Sequence, residues 1–113
     1  MDTPLQIHRL APDVCVAGQL TPEAMAELAR LGFRSVINNR PDYEAGPEQP
    51  TSASIEQAAQ AAGLSYAYLP VHPAVQSVDE IALFAQLLQD MPKPVLAFCR
   101  SGNRSSRLYS ATL

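Results

Sequence analysis

Cys99 closes an apolar run, Val95-Leu96-Ala97-Phe98, and is followed at once by Arg100-Ser101-Gly102-Asn103-Arg104-Ser105-Ser106. The run has the length and composition of a strand covered on both faces. The residues after it are small or polar, allow a tight turn, and lead into Arg107 to Leu113, which continues as a helix. A cysteine so placed is a candidate nucleophile. Its reactive species is the thiolate, which helix N-termini and neighbouring cations favour, and both influences converge here. Amide N–H groups at a helix start attract anions, and successive N–H groups in a turn form a nest around one. Arg100, Arg104 and Arg107 fall within eight positions of a chain whose net charge is −3. Local field and global charge oppose each other, which points to an anionic substrate recognised at one place. A lone cysteine is more often a buried structural residue. Glycine, two arginines and the strand-to-helix context shift the balance to Cys99 and Arg104 as catalytic residues, with Arg100, Ser101, Gly102, Asn103 and Ser105 forming the substrate cradle.

Four residues separate Cys99 from Arg104. Protein tyrosine and dual-specificity phosphatases carry one more, and the position of their arginine is Ser105 here. Cys-Arg-Ser-Gly-Asn-Arg-Ser is instead similar to the active loop of rhodanese-type sulfurtransferases, which implies a shorter loop around a persulfide sulfur. The remainder of the chain resembles another family. Val16-Ala17-Gly18-Gln19-Leu20, then Gly32-Phe33-Arg34-Ser35-Val36-Ile37-Asn38-Asn39-Arg40-Pro41-Asp42, then Leu69-Pro70-Val71 and the Cys99 loop resemble, in this order, the phosphatase-like domain of beta-lactamase-hydrolase-like proteins. The resemblance runs from about Ile7 to Leu113 and is most specific in Asn38 to Asp42 and Cys99 to Ser105. It implies a dual-specificity-phosphatase-like fold. Some members are fused to a metallo-beta-lactamase-like persulfide dioxygenase, which implies sulfur transfer in sulfide or persulfide metabolism and makes such a dioxygenase a candidate partner.

The position of the general acid bears on the reaction. Dual-specificity phosphatases place an acid aspartate shortly after the strand equivalent to Tyr66 through Val71, where this chain reads His72-Pro73-Ala74-Val75-Gln76 with no carboxylate before Asp79. General acid–base catalysis contributes roughly 10²–10⁴-fold, whereas sulfite and thiolates leave as stable anions without it. The expected reaction is therefore sulfane-sulfur transfer. The Cys99 thiolate takes the outer sulfur of a small anionic donor, thiosulfate or a thiol persulfide, and the resulting persulfide passes it to a thiol acceptor or cyanide. Arg104 and the loop amides stabilise the anions, Ser105 is expected to hydrogen-bond the thiolate, and Arg100 to recruit the donor. Neither a metal nor an organic cofactor is needed. Two alternatives stand beside this one. A cysteine-dependent phosphatase on phosphotyrosine or a small phosphomonoester would use Asp42 as replacement acid, or His72. A non-catalytic module would sense anions or dock a partner through the same cradle.

The elements that must position these residues alternate. Gln6 to Leu10 and Val14 to Ala17 read as strands around an Ala11-Pro12-Asp13 turn. Thr21 is expected to cap a helix with Pro22 first and Gly32 as its stop, followed by a strand at Arg34 to Asn38. Arg40 to Pro50 holds three prolines, one glycine and three acids, a loop long enough to serve as a lid. A helix at Ser54 to Ala62, a strand at Ser65 to Val71, and a helix behind a Ser77/Glu80 capping box lead to the Cys99 strand. The prediction is a single three-layer α/β domain over residues 1–113, with a mostly parallel sheet of four to five strands flanked by helices. Ligands in such sheets sit beyond the carboxyl ends of the strands. That edge collects Asn38 to Asp42, His72 and the Cys99 loop, so that Arg40 adds a positive group or counter-ion.

Composition excludes other classes. At 47% hydrophobic and 17% charged residues, the chain is ordinary for a water-soluble globular domain. It has no run of ~18–20 apolar residues, and its Met1-Asp2-Thr3-Pro4 start lacks the regions of a signal peptide, so a cytoplasmic location away from membranes is expected. Cys15 and Cys99 are too few for a disulfide scaffold and lack zinc-site spacing. Cys15 reads as a small core residue, with a resolving thiol as the alternative. Mild acidity without a second basic patch argues against nucleic acid.

Overall fold

The computed structural model describes residues 5–113; Met1 to Pro4, read above for a leader, lie outside them. Among the described residues five strands form one sheet: β1 (Ile7–Ala11), β2 (Val14–Ala17), β3 (Ser35–Asn38), β4 (Ser65–Tyr68) and β5 (Val95–Phe98), in the order β1-β2-β5-β3-β4. β1 runs antiparallel to β2, and the other pairings are parallel. The last strand in sequence thus lies at the centre of the sheet, between β2 and β3.

Among the described residues four helices cover the two faces: α1 (Ala24–Arg30), α2 (Ser52–Ala61), α3 (Val78–Asp90) and α4 (Asn103–Ala111). Alternation along the central strand assigns them, because successive side chains of a strand point to opposite faces. Leu96 and Phe98 pack with Met25 and Leu28 of α1 and Ile55 and Ala59 of α2. Val95 and Ala97 pack with Phe84 of α3 and Leu108 of α4. All four β5 residues are fully buried, as the continuous apolar run requires. Among the described residues no helix is long and apolar enough to cross a membrane.

Element ends follow from local chemistry, and several depart from the sequence reading: β1 runs Ile7–Ala11 rather than Gln6 to Leu10, β3 begins at Ser35 rather than Arg34, and α4 begins at Asn103 rather than Arg107. The capping box at α3 is complete: Glu80 N–H donates to Ser77 Oγ at 3.0 Å and Ser77 N–H to Glu80 Oε1 at 2.7 Å. α2 begins at Ser52 rather than Ser54, because Thr51 is its cap and accepts the Ser54 N–H at 3.2 Å. α1 begins at Ala24, since Thr21 and Pro22 enter a tight turn whose carbonyls accept the N–H groups of Ala24 and Met25, and Thr21 supplies no side-chain cap. β4 stops at Tyr68, short of Val71. Pro70 has no N–H for a ladder, but Leu69 and Val71 still donate to the carbonyls of Asn38 and Asn39 at 2.9 and 3.1 Å. This continuation holds the chain leaving β4 against the chain leaving β3, beside the end of β5.

Candidate active site

At the carboxyl edge of the sheet the Cys99 loop turns into α4. Gly102 stands at the head of that helix with φ 93°, a left-handed conformation that glycine adopts without steric cost. The turn brings Gly102 N–H to Cys99 Sγ at 3.0 Å. The end of β2 braces the loop from below: Gln19 N–H donates to Arg100 O at 3.1 Å. A Cβ on Gly18 would stand 3.0 Å from that same carbonyl, so glycine is what lets the two backbones meet. Cys99 is 1% exposed. Its thiol therefore lies beneath the floor of the cradle, not on it, because the short loop closes over the sulfur.

Ser105 does not bond the sulfur, contrary to the sequence reading. Its hydroxyl donates to Asn39 Oδ1 at 2.8 Å, and Asn39 Nδ2 donates in turn to Leu69 O at 2.9 Å. Both side chains are fully buried, and this chain of bonds ties α4 to the ends of β3 and β4. The N–H of Gly102 takes the place at sulfur that the hydroxyl was expected to fill.

Above the loop opens a cavity of about 470 Å³ lined by Arg40, Glu44, Arg100, Ser101, Asn103 and Arg104, with Ala45, Pro73 and Arg107 at its sides. This is within the range of small-molecule sites. The sequence-predicted Arg40, Arg100, Ser101, Asn103 and Arg104 are thus brought together. Glu44 is the residue the sequence reading missed. Arg104 donates from Nη1 to Glu44 Oε2 and from Nη2 to Glu44 Oε1, each at 2.9 Å, and from Nη1 to Val71 O at 3.2 Å. A guanidinium has five N–H donors in a rigid fork, so Nε–H and the second Nη2–H of Arg104 stay available for an anion. Arg40 donates from Nε to Glu44 Oε1 and from Nη1 to Gln19 Oε1, both at 3.0 Å. The hydrogen bond from Arg104 foremost, with that from Arg40, holds the Glu44 carboxyl below the usual carboxylate range against the opposing effect of burial.

The loop that carries Glu44 is pinned at several points. Asp42 Oδ1 accepts the Ser52 N–H at 2.7 Å, Asp42 N–H donates to Tyr68 Oη at 2.8 Å, and Gln49 Nε2 donates to Pro41 O at 2.9 Å. Tyr43, just before Glu44, has φ 62°, an uncommon conformation for a residue with a Cβ. The expected lid is instead an anchored strap that delivers a carboxylate to two arginines. Asp42, read as a replacement acid, is engaged at the start of α2 and does not line the cavity. His72 is exposed, its Nδ1 accepts the Ala74 N–H at 3.0 Å, and it too is absent from the lining. Cys15 packs in the core under α1 and α2. The trace of Glu44 in the sequence was its spacing from Arg40, four residues along a loop rich in proline; Gln19 stands in the Val16 to Leu20 motif, but nothing there marks it as a partner of Arg40.

Glu44→Gln gives a pH-dependent result. A carboxyl whose pKa is lowered on folding contributes stability that is complete above its ordinary value of 4.5 and is lost as pH falls through the folded-state value. The wild type should therefore exceed Glu44→Gln by about 1 kcal/mol at neutral pH, the upper end for a solvent-accessible pair. Thermal unfolding across pH should show the gap narrowing on acidification; a constant gap would rule out the charge as its source.

Comparison with known proteins accords with this geometry. The chain is 36% identical over 101 residues to a beta-lactamase hydrolase-like protein of Agrobacterium fabrum, covering 89% of this chain and 23% of that one. It thus spans about a quarter of the length of that relative. A crystal structure from Neisseria meningitidis, described as that of a candidate phosphatase, superimposes with a TM-score of 0.84 at 35% identity, covering 91% of this chain and 72% of the other. P. aeruginosa TpbA, solved in complex with pTyr, shares the fold at a TM-score of 0.63 and 19% identity, covering 92% and 59%. The family profile described as beta-lactamase hydrolase-like protein, phosphatase-like domain, matches residues 6–113. The sheet, the cysteine loop and these likenesses lead to one assignment: the chain belongs to the phosphatase-like domain family of beta-lactamase hydrolase-like proteins.

Proposed function

We propose that this domain is a cysteine-dependent phosphatase acting on a phosphomonoester. The observation that carries the reading is the Cys99 loop heading α4 beneath a cavity ringed by arginines, in a domain of a phosphatase-like family. Cys99 Sγ attacks phosphorus; the S–P bond forms, the ester P–O bond breaks, and the leaving oxygen departs with the bonding pair. Water then hydrolyses the thiophosphate, returning the thiolate and orthophosphate. Arg104, through Nε–H and its free Nη2–H, and the loop amides hold the equatorial oxygens, the kind of preorganised donor set on which phosphoryl transfer depends. Because Cys99 is 1% exposed, the loop must open over Sγ as the substrate enters. Among the described residues Glu44 is the one carboxylate in the lining, and it is held ionised, so it does not serve as an acid. Esters whose leaving group departs as a stable anion, such as aryl phosphates, suit the site best.

A second reading, sulfur transfer through a Cys99 persulfide, draws support from the four-residue spacing to Arg104 and the tight closure of the loop on sulfur. One assay separates the two. Purified protein is given an aryl phosphate in one reaction and thiosulfate with cyanide in another. Release of orthophosphate without thiocyanate is the expected result. Thiocyanate alone would replace the phosphatase with the sulfurtransferase, and neither product would overturn both in favour of an anion-binding module.

A further inference from the structure

Half of the chain's eight basic residues line one cavity, although the chain as a whole is acidic. They fall into two pairs with different surroundings. Arg40 and Arg104 are buried, 5% exposed each, and share the single carboxylate of Glu44. Arg100 and Arg107 are exposed and, among the described residues, neither has a carboxylate within ion-pair distance. Arg107 is oriented by a neutral acceptor, its Nη2 donating to Pro73 O at 2.6 Å. It stands three positions after Arg104 on α4, so the two side chains leave the same helix face. The Arg100 side chain has no hydrogen-bond partner among the described residues. A phosphoryl group over the Cys99 loop takes the free edge of Arg104 and the loop amides, Arg40 being spent on Glu44 and Gln19, while the guanidinium groups of Arg100 and Arg107 stand at the same cavity with no carboxylate partner among the described residues.

We propose that the cavity takes a phosphate compound bearing a second anionic group, with the phosphoryl over the Cys99 loop and the second group held between Arg100 and Arg107. That the phosphoryl is the reacting group rests on the phosphatase reading; the preference for two anionic groups rests on the arrangement of charge. A cleft lined by one sign of charge raises the local concentration of the opposite ion, and exposed cations without partners add attraction at no cost in broken ion pairs.

The test is calorimetric titration with methylphosphonate and with methylenebisphosphonate, neither of which presents an ester to cleave. The wild type should bind the bisphosphonate about tenfold more tightly, the gain expected from two exposed charge pairs. In the Arg100→Gln/Arg107→Gln double variant the ratio should fall to about twofold or less. A control variant, Arg9→Gln/Arg34→Gln, removes the same charge from exposed positions outside the cavity and should keep the wild-type ratio. Circular dichroism establishes that the variants are folded, and each single substitution should remove part of the preference. A wild-type ratio near one, or equal ratios in the two double variants, overturns the proposal. Absence of phosphatase turnover alongside a preserved ratio would sink the catalytic reading and leave this one standing.

Discussion

Serine at position 99 should abolish hydrolysis of an aryl phosphate, with a loss of at least about 10⁴-fold, as expected when a covalent nucleophile is removed. The hydroxyl oxygen can still accept the Gly102 N–H that now reaches Cys99 Sγ at 3.0 Å, so no buried donor is orphaned and the melting temperature should move little. Orthophosphate binding should also persist, because Arg104 and the loop amides are untouched. The comparison of interest is thus turnover against binding in one variant. Cys99→Ser that turns over at the wild-type rate would place the chemistry elsewhere, and loss of both binding and fold would show the cysteine to be a core residue and nothing more.

Arg104→Lys should cost about 10²–10³-fold in kcat, the scale of one oxyanion-stabilising group, while keeping the formal charge. The reason is shape. Arg104 spends three N–H groups on Glu44 and Val71 and has two left for an anion; a lysine ammonium has three donors on a flexible stem and presents no planar fork. Glu44 would also lose its bidentate partner and retain Arg40 alone. Stability should fall by about 1–3 kcal/mol, as when hydrogen bonds to a charged group are broken. Steady-state kinetics beside thermal unfolding checks both parts. A lysine variant with wild-type kcat would mean that charge alone, without the fork, is what the site requires.

The part of the site that was legible in the sequence is the part made from contiguous residues. A run of four apolar residues, a cysteine, a glycine and closely spaced arginines specify a buried strand, a turn and a helix whatever surrounds them; β5 and Gly102 lie where that pattern puts them, while α4 begins at Asn103, four residues before the expected Arg107, because Gly102 alone completes the turn. The same locality made the α3 capping box readable. The spacing of Cys99 and Arg104 was legible too, but it measures a loop and does not say which atom is attacked. That spacing, the missing acid after β4 and the resemblance to a family with dioxygenase-fused members all suggest sulfur transfer, whereas the matching family is described as phosphatase-like and the similar Neisseria structure as a phosphatase.

Alone, the sequence determined the nucleophile candidate, the local excess of positive charge and the alternation of strands and helices, because each depends on neighbours along the chain. The tertiary structure decided that β5 lies between β2 and β3, and with that which distant groups meet. Glu44 reaches Arg104 across sixty positions and Asn39 reaches Ser105 across sixty-six. Those pairings set the free edge of the arginine and took the serine away from the sulfur. No local pattern encodes them, since the partner a polar group finds is chosen by strand order and by what burial leaves within reach.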